Sequence, residues 1–141
     1  MAALSNYLES GLLNHLLRGI PYSAPSTLYL GLVQNFDSGS LRSGITTAEP
    51  TGGSYARQSY ASNSSNWISP YYVGASGATY NNVNIQFPVA TADIGNISGV
   101  FVADDPASGN VLFFGQLNSP RNIRTGDQFV FSSGLLKISL N

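Results

Sequence analysis

The sequence predicts a mainly β protein: an antiparallel β-sandwich, jelly-roll-like, of about eight strands, with one N-terminal amphipathic α-helix. Three observations carry that expectation. Apolar residues are spaced helically at the start of the chain and change to a period of two from Thr27 onward. The alternating stretches keep one polar face, which fits antiparallel pairing better than a parallel sheet buried on both sides. Glycine, proline, asparagine and aspartate recur between those stretches as turn formers. A chain of 141 residues suits one domain, 1–141, with the helix in 1–20 and the sandwich in 27–141.

The helix is read from "SNYLESGLLNHLLRGIP", residues 5–21. Ser5 is a good N-cap, and Glu9 lies near the positive end of the helix dipole. Leu4, Leu8, Leu12 and Leu16 recur every fourth residue, and Tyr7, Leu13, Leu17 and Ile20 widen the stripe. Asn6, Ser10, Asn14 and Arg18 make the opposite polar face. Gly19 stands where a helix takes its left-handed end residue, and Pro21 forbids continuation. Gly11 weakens the helix by about 1 kcal/mol relative to alanine. Such a helix is marginal alone, so it must dock, either on its own sandwich or on a neighbour.

In "TLYLGLV" (27–33) Leu28, Leu30 and Leu32 point one way, and Tyr29, Gly31 and Val33 the other. Residues 35–53 show little pattern and many turn formers, so they read as a long surface loop. "SYARQSYAS" (54–62) alternates weakly, and 62–78 reads as an aromatic-rich loop or irregular edge. In "NVNIQF" Val83, Ile85 and Phe87 share one face before Pro88. "NISGVFVA" (96–103) and "NVLFFGQL" (110–117) flank the turn formers "DDPASG" and make the clearest hairpin. "DQFVFSS" and "GLLKISL" close the chain, with Leu136, Ile138 and Leu140 facing inward and Lys137 outward.

Composition excludes several classes. There is no cysteine, hence no disulfide framework or thiol nucleophile. Six scattered basic residues and a net charge of −1 argue against nucleic acid as partner. No apolar run approaches the roughly 20 residues a membrane span requires, and the chain's start lacks a signal-peptide layout. The lone His15 has glycines four residues to either side and makes no metal site, and no G-x-S-x-G motif accompanies it. Asp104 and Asp105 fit a turn better than a pair of catalytic or Ca²⁺-binding carboxylates. No catalytic residue, metal ligand or cofactor is therefore expected. The charged fraction is 9%, against about 25% in ordinary soluble domains. Depleted charge with many aromatics is the bias of subunit interfaces. Leu8, Leu12, His15 and Leu16 on the helix, with Arg57, Trp67, Tyr71 and Tyr72, are the candidate interface residues. Trp67, Tyr71, Tyr72 and Tyr80 with Asn63, Asn66, Asn81 and Asn82 also have the composition of a glycan-binding surface.

Five segments resemble, in order, a family of small structural virion proteins of tailed bacteriophages, decoration (cement) or tail-associated. They are the opening "SNYLESGLLNHLLRGIPYSAPSTLYLGL", then "GGSYARQ", "FPVATADIGNISGVFVAD", "GNVLFFGQL" and "GDQFVFSSGLLKISL". Residues 34–52 and 62–80 depart from the family pattern, and Ile94 stands where a tryptophan often follows "TAD". The resemblance implies a virion component with a β-sandwich body, assembled in the host bacterial cytoplasm.

Compactness, low charge and the lack of a shaft-like repeat favour a non-enzymatic capsid decoration protein. Its expected partners are the major capsid protein and copies of itself, as a homotrimer at three-fold positions of the shell. The alternative is a tail, tail-fibre or baseplate component, with host glycan as partner.

Overall fold

The computed structural model describes residues 2–74 and 76–140; Met1, Ala75 and Asn141 of the expected 1–141 domain lie outside them. Ala2–Leu4 forms β1, Asn6–Leu17 the helix α1, Thr27–Val33 β2 and Ser38–Arg42 the short helix α2. Gln58–Ala61 is β3, Tyr71–Val73 β4, Ser76–Tyr80 β5 and Ile85–Gln86 β6. Gly95–Ala103 is β7, Val111–Ile123 β8, Val130–Phe131 β9 and Lys137–Leu140 β10. The fold is mainly β, sandwich-like and antiparallel throughout these pairings, as expected. The described residues hold ten strands where about eight were expected, because several are only two or three residues long.

A five-stranded sheet in the order β1-β8-β7-β2-β3 forms the centre. A three-stranded sheet, β10-β5-β4, and a two-stranded one, β6-β9, complete the sandwich. Between them lies the larger core, where Leu30, Leu32, Ile97, Val100 and Val102 meet Ile85, Phe87, Phe131 and Ile138. The opposite face of the central sheet is also buried, by Val33, Phe101, Ala103, Val111 and Phe114 with Leu41 of α2. The period of two in β2 is therefore kept, but its second face is not polar. Residues 35–53, expected as a surface loop, fold over that face, and Leu41 is buried at their centre.

Gly31 and Phe101 sit opposite each other on β2 and β7. A methyl group at Gly31 would lie 2.2–2.8 Å from the Phe101 ring, so the missing side chain is the space the ring fills. The β7–β8 hairpin closes as expected: the Asp104 carboxylate accepts from the Asn110 N–H, and Asp105 accepts from the Ala107 and Ser108 N–H groups. Further along, Ile97 pairs with Arg121 and Gly99 with Gln116, so residues 117–120 bulge opposite Ser98 alone. Pro120 has no N–H to donate and is tolerated inside this bulge.

The N-terminal region differs most from expectation. The helix spans 6–17 and is preceded by a strand, β1, that pairs with β8. Ser5 caps it as expected, accepting from the Leu8 N–H while its hydroxyl donates to the Val111 carbonyl and its own N–H to the Leu112 carbonyl. The first turn is thereby pinned to β8, and Leu8 is the helix residue that becomes buried. Beyond it the leucine stripe is not covered by the chain: Leu12 is half-buried, and Leu13, Leu16 and Leu17 are 58%, 74% and 78% exposed. The Tyr22 ring packs beside Gly11, and the Tyr22 N–H donates to His15 Nδ1. The helix is docked at one end only.

The last strand also departs from its pattern. Leu136 and Ile138 are buried as expected, but Leu140 is exposed and Ser139 buried, opposite Ala78 on β5. The turn before β10 hangs on Asn81, which is 1% exposed. Its amide donates to the Val83, Phe131 and Ser132 carbonyls and its oxygen accepts from the Leu136 N–H. Asn81→Ala removes all four bonds inside the core and should cost about 2–3 kcal/mol, read as a lower urea midpoint at unchanged m-value.

Candidate functional site

The expected interface residues fall in three places, and the structure gives each a different role. Arg57 is the first. Gly52 and Gly53 have φ of 83° and 61°, and Ser54 follows at 65°, a run of left-handed residues that turns the chain sharply before Tyr55. That turn aims both Tyr55 and Arg57 at Glu49. Arg57 makes a two-pronged contact with the Glu49 carboxylate, Nε at 2.9 Å and Nη2 at 3.0 Å. Its Nη1 donates to the Asp105 and Ser108 carbonyls, both at 2.9 Å, and its guanidinium lies 4.9 Å from the Phe101 ring centre. The Tyr55 hydroxyl donates to the same carboxylate and accepts from the Leu32 N–H. Burial, and then the Glu49 charge, hold that phenol far above its ordinary range. Arg57 is buried within its own chain, where it fastens the 35–53 segment to the β7–β8 turn. Sequence reading missed Glu49 and Tyr55; the available signal was a carboxylate eight residues before an arginine in a chain so poor in charge.

The aromatic and asparagine stretch is the second place. Its amides are committed internally. Asn63 Oδ1 accepts from the Ser65 and Asn66 N–H groups, while Asn66 and Asn82 donate to the Ala61 and Ser65 carbonyls. With Asn81 in the core, each of these four amides makes at least one hydrogen bond to the backbone. Tyr71 packs on Tyr80 at 4.9 Å between ring centres, and desolvation together with the Tyr80 hydroxyl pushes the Tyr71 phenol up to about 12. Tyr72 is 84% exposed on β4. Trp67 forms a bridge to Asn81 and walls an apolar groove of about 550 Å³. Leu28 and Phe113 of the central sheet form other walls, with Ile138 of β10 and Thr79 of β5. The Trp67 Nε1–H is buried, with no acceptor among the described residues.

The free end of α1 is the third. Leu8 belongs to the chain's interior, Leu12 is half-buried, and Leu16 is exposed beside the unexpectedly prominent Leu13 and Leu17. Near the other end of the helix, Glu9 pairs with Arg42 of α2 at 2.7 Å; being exposed, this pair adds at most about 1 kcal/mol. His15 is exposed with Nδ1 occupied by the Tyr22 N–H.

Among the described residues, no group of three or more His, Asp or Glu side chains is placed to hold a metal ion. The aspartates hold turns and loops. The Ser40 hydroxyl and Gly39 N–H lower the Asp37 pKa, the Thr125 N–H and hydroxyl lower that of Asp93, and the Ala107 and Ser108 N–H groups lower that of Asp105. A carboxyl depressed in the folded state stabilises above its unfolded value and loses that contribution as pH falls through the folded one. The melting temperature should therefore hold steady down to the ordinary carboxylate value of 3.8 and fall below it. A calorimetric pH series checks this, and the triple Asp→Asn variant should show a shallower acid decline.

The protein thus carries a stapled interior, an apolar groove and an uncovered leucine helix end. Comparison with curated proteins finds no match. A family model does match, that of podophage GP4 fiber I protein gp80, over residues 3–139, which takes in the helix, the staple and all but the end residues of the three sheets. The chain belongs to this family of small structural virion proteins of tailed phages.

Proposed function

We propose that this protein is a non-enzymatic subunit of a phage tail fibre or of the tail structure around it, binding neighbouring chains through apolar contacts. The observation that carries the reading is the uncovered end of α1: Leu13, Leu16 and Leu17 stand in solvent on a chain that is only 9% charged. Contiguous exposed apolar surface of this kind marks interaction sites. The family's description as a fiber protein supports the tail over the shell, against the capsid decoration that the sequence favoured. The partners are then copies of this chain and other tail proteins, in place of the major capsid protein. Assembly would take place in the host cytoplasm.

Magnitudes limit how the contact works. Full burial of one leucine gains about 1.5–3 kcal/mol, while association costs about 4–15 kcal/mol in lost freedom. Three leucines cannot carry a stable contact alone, so a receiving surface or several simultaneous contacts are required. The location is tested by labelling intact particles with gold-conjugated antibody against this chain. Label on the tail is the expected result, and label spread over the head would return the protein to the shell.

A further inference from the structure

We infer that His15 is a proton-operated latch on the connector between α1 and β2: neutral, it holds residues 18–26 against the helix, and protonated, it releases them. The contacts involved lie within one chain, so the latch does not depend on where in the virion the protein sits.

The latch turns on a single atom. The Tyr22 N–H donates to His15 Nδ1 at 3.1 Å. A neutral imidazole accepts at one nitrogen and carries its hydrogen on the other, so this bond requires the Nε2–H form of the ring. Nδ1 is then the one ring lone pair left to take a proton, and the Tyr22 N–H already occupies it. Connector and proton compete for the same site. Once protonated, the ring has two N–H donors and turns one of them against the Tyr22 N–H. His15 is exposed, so water delivers the proton directly. Histidine is the side chain that ordinarily changes charge between about pH 5 and 8.

Little else holds the middle of the connector. On the helix side, Gly19 turns the chain at a φ of 65° and the Ile20 N–H donates to the Asn14 carbonyl. On the strand side, the Ser62 hydroxyl donates to the Pro25 carbonyl and the Ser62 N–H to the Ser26 carbonyl. Between these anchors, the bond to His15 is the only hydrogen bond that residues 21–24 make among the described residues. The Tyr22 ring adds packing. It lies against Gly11, where a methyl group would meet it at 2.9 Å, and edge-on to Tyr7 at 6.2 Å between ring centres. Opening therefore adds Gly11 and more of Tyr7 to the surface that α1 already exposes.

The surrounding charges let the latch switch. His15 lies in the last turn of α1, where the carbonyl end of the helix dipole favours a cation. Arg18, three residues on, opposes a second cation, but its guanidinium is turned to Asn14 Oδ1 at 2.8 Å. Glu9, nearer the start of the helix, is paired with Arg42 of α2. On the connector the titratable group is Tyr22 itself, whose phenol is held above its ordinary value by burial and then by Tyr7 and Asp104. Asp104 belongs to the β7–β8 turn, where the Asn110 N–H and side-chain amide both donate to it.

The test is an NMR titration of the isotope-labelled full chain from about pH 8 to about pH 5.5. At the upper end, nitrogen–proton correlation of the His15 ring should show the Nε2–H form. As the ring takes its proton, hydrogen-exchange protection of the Tyr22 amide should fall roughly tenfold, with the same midpoint as the ring resonances. The Leu8 amide, capped by Ser5, should keep its protection. His15→Asn offers an acceptor oxygen on the same branch as Nδ1 but takes no proton, so Tyr22 should stay protected throughout. His15→Ala removes the acceptor, and Tyr22 should be open throughout. The position is exposed, so circular dichroism should show an unchanged fold for both variants. An Nδ1–H ring at the upper end would overturn the inference, as would a Tyr22 midpoint that departs from that of the ring. A step that persists in His15→Asn or His15→Ala would assign the response to another group and overturn it as well.

Discussion

Replacing Arg57 with methionine should lower the free energy of unfolding by about 3–5 kcal/mol and the melting temperature by roughly 10–20 °C. The guanidinium is nearly inaccessible and the Glu49 carboxylate mostly so, with side-chain exposures of 2% and 16%. Removing the cation leaves that carboxylate with the Tyr55 hydroxyl as its remaining side-chain donor. It also leaves the Asp105 and Ser108 carbonyls without their donor. Most of the expected loss is the penalty of a stranded charge rather than the net worth of the pair. The double variant Arg57→Met with Glu49→Met should therefore be more stable than Arg57→Met alone. A thermal-melt double-mutant cycle reads this directly. A single variant that melts like the parent would show that the staple holds nothing.

The second large effect belongs to Phe101. Phe101→Ala should cost about 3–5 kcal/mol, measured by chemical denaturation. The ring is fully buried, fills the space above Gly31 and lies beneath the Arg57 guanidinium, so truncation opens a cavity and removes the cation–π contact at once. The reciprocal change, Gly31→Ala, forces a methyl into the ring on a strand held on both sides by β3 and β7. That overpacking should cost about 1–3 kcal/mol or more. Because the two residues share one space, Gly31→Ala with Phe101→Leu should be less damaging than the sum of its parts. Strict additivity would refute the shared-space account.

Both predictions concern features only partly readable beforehand. The Gly31 and Phe101 positions each lay in an expected strand, but nothing local showed that they face each other, because register between distant strands is set by pairing. Arg57 was legible as a fork awaiting a partner, and Glu49 was invisible as that partner. Its approach depends on the left-handed run at 52–54 and on α2 folding over the sheet.

Likewise the Ser5 cap, the 104–109 turn and the alternation of β6 followed from neighbouring residues alone. The leucine stripe misled for the opposite reason. Its period correctly announced a helix, but periodicity records which residues share a face and not what covers that face.

The sequence by itself determined the fold class, the helix and its cap, the principal hairpin and the low charge of the chain. Each of these follows from short-range sterics, hydrogen bonding or composition. Only the tertiary structure decided that both faces of the central sheet are buried, that four candidate amides hold backbone, and that the helix is docked at Leu8 and bare at Leu16. Those outcomes depend on contacts between residues far apart in the chain, whose free energy is realised only once every element is in place.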